Sequence, residues 1–239
     1  LEFMAEVTGL RLARSAALKE KHLQSHLAGR REDDADLRAI VDDAQVLGSL
    51  ELAGFALSWP QVRDREAPPP EVRALRAARS AVEAAAPFSV PALRRWHREA
   101  VGGGEFRDHD LAALAEDVAP PAPAAFVAGR VAILEEWMSG ESARELRPAQ
   151  AGALVLARLV EIRPFADGNG RVARLAASHV MVGGGLRPPI LVGGDRPRLE
   201  ACLRAAFRLD TEPLAALLHE ASERCLDVMI QSLEGGGDG

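Results

Sequence analysis

A chain of 239 residues with 48% hydrophobic side chains has enough apolar material for one large core or two small ones. Aromatics are only 4% and Tyr is absent, which leaves the core to Ala, Leu and Val and points to helix. A net charge of −6 argues against general nucleic-acid binding, and no apolar run approaches the roughly 18 residues that a membrane span needs.

Nothing at the N-terminus reads as a signal peptide, so a cytoplasmic protein is expected. Leu1-Glu2-Phe3 ahead of Met4 reads as a cloning scar. Residues 5–28 have the pattern of a helix of mixed charge, and Gly29-Arg30-Arg31-Glu32 reads as a polar turn. Asp33, Asp34 and Asp36 offer N-caps for a helix to about Leu47. Trp59-Pro60 and Pro68-Pro69-Pro70 break the chain, and a helix is expected from Glu71 to Ala86. Pro87 and Pro91 precede a helix carrying Trp96, and Gly102-Gly103-Gly104 is a turn. After Ala119-Pro120-Pro121-Ala122-Pro123, a helix places Phe126, Val127, Val131, Leu134 and Trp137 on one face. Two further helices are expected near 195–208 and 213–233. Cys202 and Cys225 fall in apolar helical patterns and read as small core residues. No strong strand signal is present, and Ile190-Leu191-Val192 is too short to decide. Lys19 and Lys21 are the only lysines among many arginines, a composition that suggests a GC-rich bacterial genome.

The most informative stretch is Ile162-Arg163-Pro164-Phe165-Ala166-Asp167-Gly168-Asn169-Gly170-Arg171-Val172-Ala173-Arg174. Ala151, Leu154, Val155, Leu159 and Ile162 recur at helical spacing ahead of it, and Val172, Leu175, Ala176 and Val180 make a second apolar face behind it. Pro164 stops the first helix and Gly168-Asn169-Gly170 turns the chain into the second. The start of that second helix presents unpaired N–H groups and a dipole that favour an anion. Arg171 and Arg174 share a helix face and can grip a phosphate chain. Asp167 is placed to hold a divalent cation, and Asn169 to donate its amide to a phosphate oxygen. Gly168 and Gly170 let the backbone approach phosphate closely.

These residues resemble the signature of the Fic (filamentation induced by cAMP) family, H-x-F-x-(D/E)-G-N-G-R-x-x-R. Phe165, Asp167, Gly168, Asn169, Gly170, Arg171 and Arg174 match it. The resemblance implies an all-α, Fic-type helical domain, with a small irregular flap. It implies a loop that binds ATP or another phosphate-containing ligand together with Mg2+, through Phe165, Gly168, Asn169, Gly170, Arg171 and Arg174, with Asp167 on the metal. In the family a histidine deprotonates a hydroxyl on a target protein, which then receives AMP. Gly104-Glu105-Phe106-Arg107 resembles the G-x-(Y/F)-R entry to the target-binding flap, and Leu186-Arg187-Pro188-Pro189 the segment after the motif helix, so the similarity spans about residues 90–210. Four parts are expected: the scar at 1–3, a helical extension at 4–89, the Fic-like domain at 90–233 and a disordered tail at 234–239.

The chain departs from that pattern. Arg163 occupies the histidine position, and a guanidinium with a pKa above about 12 and no acceptor cannot take a proton. Loss of general-base help slows a reaction by about 10²–10⁴-fold. Asp110 to Val118 read as an acidic helix or loop, where the family places a hairpin that pairs with the target. Many relatives also carry an inhibitory helix, (S/T)-x-x-x-E-(G/N), whose glutamate pairs with the second motif arginine. Here Ser49-Leu50-Glu51-Leu52-Ala53-Gly54 is the vestigial counterpart, with Ala53 in the glutamate slot; an ordinary helix end capped by Gly54 is the alternative. No other residue clearly replaces the base. His179 falls on the apolar stripe, His109 reads as an exposed flap residue, Glu161 as solvent-facing, and His22 and His26 lack further metal ligands nearby.

Three functions remain open. One is a nucleotide- or phosphate-binding relative in which ordinary AMP transfer is absent or very weak. Another is a degenerate but active Fic-type adenylyltransferase, transferring AMP or another phosphate-containing group. The third is a non-catalytic helical interaction module. The expected partners are a nucleotide and a protein target or regulatory partner, with no nucleic acid and no membrane; the oligomeric state is left open.

Overall fold

The computed structural model describes residues 2–27, 31–82, 85–113 and 118–235. In chain order it holds α1 (Glu2–Leu27), α2 (Arg31–Leu52), α3 (Trp59–Arg63), α4 (Pro70–Ser80), α5 (Val90–Ala100), α6 (Ala124–Ser139), α7 (Glu141–Arg144), α8 (Pro148–Ile162), α9 (Asn169–Gly183), a 3-10 turn (Gly193–Asp195), α10 (Arg196–Ala206) and α11 (Glu212–Gly235). Among the described residues there is no strand, and Ile190-Leu191-Val192 is irregular backbone. The all-α expectation holds. No described helix is long and apolar enough to cross a membrane.

The centre of the fold is α8. Most of its length is buried, from Ala149 to Ile162, and it packs against α9, α11 and α6. Small residues set how close the neighbours come. A Cβ at Gly152 would lie 2.6 Å from Met181 Cγ on α9, so the two motif helices meet at van der Waals distance there. Trp96 of α5 is buried against His179 of α9, ring centroids 5.0 Å apart. Burial pushes the His179 imidazole below its ordinary pKa, a core histidine rather than a base. A second cluster, with Leu23, Leu37, Val41, Cys225 and Met229, joins α1, α2 and α11. Cys202 and Cys225 are both buried and free; burial pushes the Cys225 thiol up to about 12.

Several boundaries differ from the sequence pattern. The second helix does not end at Leu47 but runs to Leu52, because Val46, Leu50 and Leu52 keep facing the core. Trp59-Pro60 does not break the chain but opens α3, with Pro60 in the first turn, where its missing N–H costs nothing. The helix expected to reach Ala86 ends at Ser80, and the Ala81 N–H closes its last turn on the Ala77 carbonyl. Phe126 is 58% exposed and leaves the apolar face assigned to it, while Val127, Val131 and Leu134 are buried. Glu2 and Phe3 lie within α1, and α11 extends through Gly235. In the Asp110–Val118 stretch, residues 110–113 and 118 are irregular, and 114–117 lie outside the described residues, as do Leu1 and 236–239 of the expected scar and tail.

One contact fixes α2 against the rest. A Cβ at Gly48 would stand 1.7 Å from the Leu191 carbonyl oxygen, so α2 and the irregular Ile190-Leu191-Val192 stretch touch backbone to backbone. Gly48→Ala is expected to lower stability by about 1–3 kcal/mol, the usual cost of overpacking. Urea unfolding would show a lower midpoint at unchanged slope; an unchanged midpoint would mean that α2 can shift without loss.

Candidate functional site

The site is built where α8 ends and α9 begins. Arg163 closes α8 in the left-handed region, φ 47 and ψ 68, with its N–H on the Leu159 carbonyl at 3.0 Å. A non-glycine residue there is uncommon and marks a backbone held by its surroundings. The loop that follows is braced from within. Asn169 Oδ1 accepts the Phe165 N–H at 2.8 Å, and its Nδ2 donates to the Phe165 carbonyl at 2.8 Å. Both ends of the Asn169 amide thus brace the loop, a role that the sequence pattern did not assign to it.

Phe165 packs inward. It is 0% exposed and stacks on His97, with centroids 3.8 Å apart and planes at 11°. Phe106 covers it from the side at 5.5 Å. Phe165 therefore supports the loop from beneath. His97 Nε2 lies 3.0 Å from the Asp167 carbonyl, so that nitrogen carries the proton and donates to the loop. Burial lowers the pKa of His97, an effect that the bond to Asp167 opposes and the neighbouring Arg171 charge adds to. Gly168 takes φ 71, and a Cβ there would lie 2.3 Å from Val101 Cγ2. Only glycine meets both conditions.

The first amides of α9 have no side-chain cap, and the Val172 N–H is the one that returns to Gly168. They point into a cleft of about 640 Å³, a size suited to a small ligand. Its walls are Leu52 at the end of α2, Ala53 and Phe55 after it, Leu111 and Ala112 of the flap segment, and Arg163, Ala166 to Arg171 and Arg174. Arg171 is buried, its guanidinium 5.6 Å over the Phe55 ring and 3.4 Å from both the Ala100 carbonyl and Asp167 Oδ2. Arg174 donates from Nε to Ser49 Oγ at 3.0 Å and from a terminal nitrogen to the Ser49 carbonyl at 2.6 Å. Burial, then the like charges of Arg171 and Arg196, push the Arg174 pKa down to about 9, so it is still cationic at neutral pH. Arg163 is half-buried at the cleft wall and donates to the Ala119 carbonyl at 3.3 Å. Guanidinium groups held this close repel one another, and a polyanion would relieve that repulsion.

Asp167 is the acid of the cleft. Its side chain is 82% exposed, and Oδ1 accepts the Gly168 N–H at 2.6 Å. Among the described residues no group of three or more His, Cys, Asp or Glu is gathered for a metal. One exposed carboxylate beside a cluster of guanidinium groups nevertheless fits Mg2+, which commonly binds through one or two carboxylates, substrate phosphates and water.

Arg163, Asp167, Gly168, Asn169, Gly170, Arg171, Arg174 and Ala53 thus share one cleft, and Ser49 stands behind it on Arg174. Gly54 lies just past α2 at φ 92, its N–H on the Glu51 carbonyl. The other candidates lie apart. His109 is exposed and pairs with Asp108 at 3.0 Å, and Glu161 pairs with Arg158 at 2.7 Å across one helical step. His22 faces Glu234, and nothing is described of the His26 side chain. Sequence reasoning missed His97 and Phe55 beside the site and the contacts that Arg107 makes behind it. Of these, only Arg107 had a signal, the Gly104 to Arg107 pattern.

Comparison with known proteins agrees with this geometry. Residues 87–181 match the model of the Fic/DOC family. A curated relative, protein adenylyltransferase Fic of Drosophila virilis, is 31% identical over 138 residues, covering 56% of this chain and 27% of its own length. The chain thus spans about a quarter of that relative. Among solved structures, Fic-1 (aa134 - 508) of C. elegans superposes with a TM-score of 0.79 at 21% identity, covering 96% of this chain and 73% of the other. A Fic domain containing signaling protein of Bacteroides thetaiotaomicron gives 0.81 at 20% identity, with 92% and 98% covered.

Proposed function

From a chain whose residues 87–181 match the Fic/DOC family model, we propose a nucleotide- or phosphate-binding protein in which ordinary AMP transfer to a hydroxyl is absent or very weak. The observation behind this reading is Arg163. It stands on the cleft wall at the histidine position of the motif, beside Arg171 and Arg174. In this reading the α9 amides and the two motif arginines bind and orient the phosphates. Asp167 would hold Mg2+, which when bound would neutralise phosphate charge. Arg163 adds a cation where a proton acceptor is needed, so a serine, threonine or tyrosine hydroxyl keeps its proton. The nearby His97 does not take over, because it does not line the cleft: its Nε2 donates to the Asp167 carbonyl and its Nδ1, the nitrogen able to accept a proton, is buried.

Calorimetric titration with ATP, ADP and AMP, each with and without Mg2+, tests this. Binding should weaken as phosphates are removed and should depend on Mg2+. Arg171→Ala should weaken ATP binding by about 10- to 100-fold, the scale of a lost charge-assisted hydrogen bond. No heat with any nucleotide would defeat the reading and favour an interaction module.

One observation supports a second reading, an active transferase with altered chemistry. Ala53 lines the cleft where an inhibitory glutamate would compete, and Arg174 is held only by the neutral oxygens of Ser49. A full triphosphate meets no acidic rival there. A protein target or regulatory partner belongs to either reading.

A further inference from the structure

Arg107 does not line the cleft, yet it bonds to the segments that shape it. It is 5% exposed. Nε donates to the Arg163 carbonyl at 2.7 Å, and Nη2 to the Ile162 carbonyl at 3.3 Å and to the Ala122 carbonyl. Nη1 donates to the His109 carbonyl at 2.9 Å, and the Arg107 backbone N–H donates to the Pro164 carbonyl at 3.0 Å. One residue thus engages the consecutive carbonyls of 162, 163 and 164, as well as a carbonyl on each side of the flap segment.

The first group has a clear physical need. The last carbonyls of a helix lack partners and carry partial negative charge, so a cation with several donors stabilises them. Here those carbonyls belong to the turn in which Arg163 adopts its left-handed backbone. The second group, His109 and Ala122, brackets the segment that borders the cleft through Leu111 and Ala112. A planar guanidinium can serve both groups at once; a single ammonium cannot.

We infer that Arg107 is a positioning residue that holds the Arg163 turn together with residues 109–113 and 118–122, so that the floor of the cleft and its wall at Leu111 and Ala112 keep a fixed relation. Its effect on ligand affinity rests on the phosphate-site reading, whereas the mechanical coupling stands without it.

Hydrogen exchange on the full chain, read by mass spectrometry, tests the inference with Arg107→Lys. This variant keeps the charge and the packed stem, so the fold has what it needs, but loses the fork. Amides in 105–113, 118–123 and 163–168 should exchange at least about tenfold faster, while α10 and α11 keep their protection. ATP with Mg2+ should bind about tenfold more weakly, and Arg107→Gln should show the same pattern more strongly. Wild-type exchange in the flap and turn segments of Arg107→Lys would overturn the inference. So would faster exchange spread evenly over α10 and α11, which would mark a general core brace. If the wild type binds no nucleotide, the phosphate-site reading fails, and the exchange pattern alone decides the coupling.

Discussion

Arg163→His is expected to turn a binding site into a transferase. It places a group with a pKa near about 6.5 at the cleft wall, where a guanidinium now stands, and an imidazole nitrogen can take a hydroxyl proton. General-base help is worth about 10²–10⁴-fold, so AMP transfer should rise by that factor. The backbone favours the change. Position 163 sits at φ 47, a region where histidine is several-fold more at home than most side chains. Folding should therefore be unchanged or slightly better. The measurement is transfer of labelled AMP from ATP to the protein itself and to proteins of a lysate. A variant that binds ATP yet labels nothing would show that more than the base is missing, with the flap segment as the next suspect.

Phe165→Ala should be among the most damaging single changes. The ring is fully buried between His97 and Phe106 and carries the loop on its back. Removing it leaves a cavity that the braced loop cannot collapse into, and large-to-small changes of this kind cost about 3–5 kcal/mol. Phe165→Leu keeps most of the volume and should cost well under half as much. Denaturant unfolding of both variants gives the comparison. Equal losses would mean that the ring stacking on His97 matters and not the filled volume. A negligible loss in both would mean that the loop is held by the Asn169 amide alone.

The turn between α8 and α9 was legible because its two apolar faces, its Pro164 stop and its glycines are local signals. The same signals could not assign the side chains within it. An Asn beside glycines reads equally as a ligand donor or as a loop brace, and only the two 2.8 Å bonds to Phe165 reveal the brace. A Phe in a polar loop gives no hint of which side it faces. The end of α2 was misplaced because Leu50 and Leu52 are held by tertiary contacts beyond the reach of helical periodicity. Arg107 escaped for a different reason: its acceptors are main-chain carbonyls as far as 56 residues away, and a carbonyl leaves no trace in residue identity.

The bond between Arg174 and Ser49 has a thermodynamic corollary. A phosphate that draws the Arg174 guanidinium away from the two Ser49 oxygens competes with the end of α2 for it. Linkage makes such competition mutual: whatever factor α2 takes from the ligand's affinity, the ligand takes from the docking of α2. Glu51 sits on that helix end and is itself tied down, its carboxylate on the Gly193 N–H at 2.9 Å and its carbonyl on Arg196 at 2.9 Å. Occupancy of the cleft would then be felt at the start of α10, through a helix end that serves as both latch and messenger.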